Sequence, residues 1–91
     1  MNSIFIGTRI KTLQKVEELI SVIDIITVED SFIHKERANS TLVNKNNKEG
    51  INKSIYKSKA ELLISARYPF ILPSKVLKAN KIFVNSHHYQ F

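Results

Sequence analysis

The sequence predicts an α/β fold built on an open, mostly parallel sheet. Three observations carry that prediction. Four short apolar runs, Ile4-Phe5-Ile6, Ile23 to Val28, Leu62-Leu63-Ile64 and Ile82-Phe83-Val84, are nearly unbroken and rich in β-branched residues. That is the pattern of strands buried on both faces. Amphipathic segments of helical period lie between them. The two kinds of segment alternate, as crossover connections between parallel strands require.

Taken in order, Ile4-Phe5-Ile6 is the first strand, expected at the centre of a Rossmann-like sheet. Gly7 permits a tight exit from it, and Thr8 reads as the cap of the next helix. Ile10, Leu13, Val16 and Ile20 recur at three- and four-residue spacing, with Lys11, Gln14, Lys15 and Glu18 on the opposite face. The second strand, Ile23 to Val28, leads into a long connection. Its stretch from Asn39 to Lys48 is polar, carries the run Asn44-Lys45-Asn46-Asn47-Lys48, and reads as a surface loop. Ile51 and Ile55 form an i, i+4 pair that places a second helix near Glu49 to Lys57. After the third strand, Pro73 introduces a short third helix with Ser74 as its cap and Val76 and Leu77 as its apolar residues. The fourth strand follows.

Ninety-one residues make one domain at most, and a hydrophobic share of 43% is enough for a core. Cysteine is absent, which excludes disulfide and thiolate chemistry. Met1 to Ile6 lacks the basic start of a secretory signal, and no stretch approaches the roughly 20 apolar residues of a membrane span, so a cytoplasmic location is expected. The net charge of +6 would attract a polyanion, but the lysines are scattered along the chain and read as a solvated surface.

The phosphate-binding fingerprint of dinucleotide folds is missing, because the chain holds only two glycines, Gly7 and Gly50. Gly7-Thr8-Arg9 offers an anion a helix N-terminus and one cation; a plain turn and cap is the preferred reading. His87 and His88 are adjacent, so on a strand they face opposite ways and do not share a metal ion.

Three stretches, in order, resemble the folate-dependent formyltransferases, the family of methionyl-tRNA formyltransferase, glycinamide ribonucleotide formyltransferase and the sugar N-formyltransferases. Ile4-Phe5-Ile6-Gly7-Thr8 looks like the family's opening strand and turn. Leu62 to Leu77, reading LLISARYPFILPSKVL, looks like its third strand, its aromatic-x-x-Ile-Leu-Pro segment and the following helix. Asn85-Ser86-His87 is similar to its Asn-x-His pair. The resemblance implies that residues 1–91 are a single partial catalytic domain, the N-terminal half on the folate-binding side. It implies 10-formyltetrahydrofolate as cofactor and an amine as acceptor. Backbone groups at Phe70, Ile71 and Leu72, with Tyr68 beside them, would hold the pterin. Asn85 and His87 would donate to the oxyanion formed when the amine attacks the formyl carbon. Two residues apart on a strand, their side chains point the same way.

The sequence departs from the family pattern at several points. Arg67 stands where the family has glycine or another small residue, which predicts a crowded turn. His88 replaces a small residue or proline, and Tyr89-Gln90-Phe91 does not continue into a Leu-Leu-Pro loop. The family's catalytic Asp would lie beyond Phe91, and Asp24 and Asp30 cannot replace it by position. The chain alone is therefore expected to be inactive, and an unpaired sheet edge after the fourth strand favours a homo-oligomer. The alternative is a small basic α/β module that binds RNA or another polyanion without catalysis.

Overall fold

The computed structural model describes residues 1–70, 72–77 and 82–86. Within them the order is β1 (Asn2–Gly7), α1 (Ile10–Leu19), β2 (Ser21–Thr27), α2 (Phe32–Glu36), β3 (Thr41–Leu42), α3 (Lys48–Lys57), β4 (Leu62–Ala66), α4 (Ser74–Leu77) and β5 (Ile82–Ser86). The strands form one parallel sheet in the spatial order β3-β2-β1-β4-β5. The open Rossmann-like α/β architecture is the one expected, and β1 is its central strand.

Alternation along β1 divides the core. Ile4 and Ile6 face one way and Phe5 the other. Ile4 and Ile6 join Leu63 of β4, Ile55 of α3 and Val76 of α4. Phe5 joins Leu62 and Ile64 of β4, Leu13 of α1 and Ile33 of α2. The helices thus cover both faces: α1 and α2 pack on the Phe5 face of the sheet, and α3 and α4 on the Ile4/Ile6 face. Each fully buried Leu or Ile contributes about 1.5–3 kcal/mol.

Several expectations need correction. Among the described residues there are five strands rather than four, because β3 lies inside the stretch read as a surface loop and Val43 beyond it is buried. The loop reading holds for its tip, where the Asn44 side chain accepts from Asn46 N (2.8 Å) and Asn47 N (3.1 Å). α2 was expected as part of the long connection. Burial on both faces holds for β1 and β4 but not for β2, where Ile23 is 51% exposed, nor for β5, where Ile82 and Val84 are 57% and 44% exposed. The cause is position: β2 is flanked outside by only two residues of β3, and β5 is the last strand among the described residues. Thr8 does not cap α1. The cap position is Arg9, whose carbonyl accepts from Leu13 N, with no side-chain cap. Likewise α4 bonds back to the Pro73 carbonyl, which puts Ser74 inside the helix rather than before it. No helix among the described residues is long and apolar enough to cross a membrane.

Candidate functional site

The chain runs outward from β1 to β2 and β3, then returns to the other side of β1 with β4 and β5. The carboxyl ends of β1 and β4 therefore flank a topological switch point, the place where open α/β sheets hold their ligands. Two segments meet there, Gly7-Thr8-Arg9 and the segment that leaves β4 at Arg67.

The two strand exits are bonded directly. Thr8 N donates to the Ala66 carbonyl at 2.9 Å, and Thr8 Oγ1 donates to the Arg67 carbonyl at 3.1 Å. Gly7 makes this approach possible. A Cβ at Gly7 would stand 1.9 Å from the Ala66 oxygen, and its φ of 148° disfavours any L side chain. Because Thr8 N is engaged by Ala66, it is not free to hold an anion, so Gly7-Thr8 acts as a structural turn.

Arg67 adopts φ 59°, the left-handed region, which it alone of the non-glycine residues among those described occupies. For a residue with a side chain this conformation costs about 1–2 kcal/mol of backbone strain. Its side chain is exposed at the rim of the switch point.

Tyr68, Phe70 and Leu72 pack, partly buried, against the Ile4/Ile6 side of the core. The Tyr68 and Phe70 rings meet edge to face, with centroids 5.7 Å apart at 72°. Lys48 Nζ lies 5.9 Å from the Phe70 ring centroid. The Tyr68 hydroxyl is buried and finds no hydrogen-bond partner among the described residues. Such a group costs about 1–3 kcal/mol, and burial pushes its pKa up.

Asn85 stands on β5 opposite Ser65 of β4, exposed, and one step before the strand end. Alternation places it on the same face as Phe83, which packs against the cluster that also holds Tyr68, Phe70 and Leu72. Tyr68, Phe70 and Leu72 thus pack on the face of the sheet toward which alternation points Asn85. The other two residues picked from the sequence, Ile71 and His87, lie outside the described residues.

A second feature escaped sequence reasoning. Lysines scattered along the chain come together where α3 meets α4. Lys53, Lys57 and Lys75 line an open cleft of about 430 Å³ with Tyr56. Lys75 Nζ sits 5.1 Å from the Tyr56 ring centroid. The i, i+4 pair Lys53 and Lys57 with Tyr56 was readable on a helix; the approach of Lys75 was not.

Comparison of the chain with models of known protein families, with curated proteins and with solved structures returned no match in any of the three.

Proposed function

We propose that this chain is the folate-binding N-terminal part of a formyltransferase that passes a formyl group from 10-formyltetrahydrofolate to an amine. The observation that carries the reading is the register of β4 and β5. Ser65 stands opposite Asn85 and Ala66 opposite Ser86. Asn85 therefore lies one strand away from the point where the chain departs toward Tyr68, Phe70 and Leu72.

The residues present fit a ring with polar edges. Phe70 and Leu72 offer apolar contact, and the unpartnered Tyr68 hydroxyl offers one polar group that a pterin edge would satisfy. The main chain from Phe70 through Ile71 to Leu72 would read the remaining edge. The cofactor supplies an activated formyl carbon for attack by the amine. Asn85 would donate from its side-chain amide to the formyl oxygen as negative charge builds there, before the bond from the formyl carbon to the folate nitrogen breaks; removal of such a contact typically costs about 10²–10³ in rate. His87, by resemblance, would act with it as cation or acid. A general base for the departing amine proton is not among Tyr68, Asn85 and His87 as so employed, and activity of the isolated chain is accordingly not part of the proposal. A cytoplasmic setting and self-association at the β5 edge belong to the same reading.

Equilibrium binding of 5-formyltetrahydrofolate tests it. The expected result is saturable binding with Kd no weaker than about 1 mM, reduced in Asn85→Ala and Tyr68→Phe. Absence of saturation, or equal binding by both variants, would contradict it.

A further inference from the structure

The cleft between α3 and α4, among the described residues, is lined by none of Tyr68, Phe70, Leu72 and Asn85 and has a chemistry of its own. Lys53 and Lys57 stand one helical turn apart on α3, a like-charge arrangement that destabilises a helix unless something relieves it. Lys75 reaches the same cleft from α4. Among the described residues none of these three ammonium groups forms an ion pair, the ion pair found there being Arg37 with Glu17. Among the described residues of the lining, Glu49 is the single carboxylate against the three lysines, a net charge of +2.

The rest of the lining is not that of a simple charged patch. Tyr56 is 45% exposed, and its ring lines the cleft with Lys75 Nζ 5.1 Å from its centroid. Pro73 and Val76 supply an apolar wall, and the Asn52 amide carries both donors and an acceptor. The volume, about 430 Å³, lies within the range of small-ligand pockets.

We propose that the α3–α4 cleft binds a small planar phosphomonoester, of the chemical class of a nucleoside monophosphate. Its phosphate, with about −1.5 to −2 charges at pH 7, matches the net charge of the lysine set. Its ring stacks on Tyr56, and Asn52 meets a polar ring edge. The phosphate alone would lack the stacking contact, and the nucleoside alone would lack the charge.

The test is an NMR titration of the whole chain with AMP, adenosine and inorganic phosphate in parallel. Saturable shifts with AMP at Asn52, Lys53, Tyr56, Lys57 and Lys75 are expected, with adenosine and phosphate each at least about tenfold weaker. The exposed variants Lys53→Gln/Lys57→Gln and Tyr56→Ala should each weaken AMP by about tenfold while leaving the core resonances in place. The proposal is overturned if AMP produces no saturable shift. It is overturned equally if phosphate binds as well as AMP and Tyr56→Ala has no effect, since the lysines are then only an ionic cluster. An oligonucleotide whose shifts spread beyond the cleft to Lys11 and Lys15, with AMP bound no better than phosphate, would replace it with polyelectrolyte binding to the whole basic surface.

Discussion

The Thr8 hydroxyl donates to the carbonyl of Arg67, 59 residues further along the chain, at 3.1 Å. This bond joins the exit of the central strand to the exit of its neighbour. It also holds the carbonyl of a residue whose own backbone is in the left-handed region. The orientation of the segment that begins at Tyr68 therefore depends on two constraints, the Gly7-Thr8 turn and the strained Arg67.

Gly7→Ala is expected to be severe. The added methyl would overlap the Ala66 oxygen and break the Thr8 N–H bond to it, with φ 148° strained besides. A loss of at least about 3 kcal/mol follows, read as a collapse of the urea midpoint. A midpoint within experimental error of the parent would show that the two strand exits do not approach as described.

Arg67→Gly should stabilise. Removing the side chain relieves the left-handed penalty, and the added freedom of glycine in the unfolded chain offsets part of the gain. The net expectation is about 0.5–1 kcal/mol, or a few degrees in Tm. A destabilised variant would mean that the guanidinium makes a contact worth more than the strain.

Tyr68→Phe separates stability from binding. Deleting the buried hydroxyl that lacks a partner should raise stability by about 1 kcal/mol while weakening folate binding. The pH dependence follows from burial, which raises the Tyr68 pKa. The folded chain keeps the phenol proton after the unfolded chain, with its ordinary pKa of about 10, has released it. Stability from this group is present below pH 10 and is lost as pH rises toward the folded pKa. The advantage of the Phe variant should thus widen above pH 10 in parallel denaturant melts; a constant gap would contradict a buried Tyr68.

Ser31→Ala probes the short helix α2. The Ser31 side chain accepts from His34 N at 3.2 Å and shares a 2.6 Å hydrogen bond with buried Thr27 Oγ1. Loss of the cap costs about 1 kcal/mol, and the stranded Thr27 hydroxyl adds to it. Amide exchange in α2 should accelerate more than in α1, and uniform acceleration would place Ser31 in the global core instead.

The strands and longer helices were legible because each carries its own period: Ile10, Leu13 and Val16 mark α1 without any tertiary information. α2 and β3 were not. α2 buries one residue, Ile33, over five positions, too few for a period to register. β3 is two residues long and exists through its pairing with Ile26 and Thr27. Tyr68, Phe70, Leu72 and Asn85 were selected by family resemblance, and their shared face could be stated only once β5 was seen beside β4. Nothing in the residue type Arg announces a left-handed Arg67. The lysine cleft was invisible for a related reason, since Lys75 is 18 residues beyond Lys57 and only the packing of α4 on α3 brings them together.

Whether Tyr68, Phe70, Leu72 and Asn85 form one folate site is decided by a ¹⁵N NMR titration with 5-formyltetrahydrofolate. The proposed site requires saturable shifts that appear together at Tyr68, Phe70 and Leu72 and at the Asn85 side-chain amide, with one common Kd. Shifts confined to lysines such as Lys53 and Lys57, with none at Tyr68, Phe70, Leu72 or Asn85, would contradict it and leave a basic binding module as the better description.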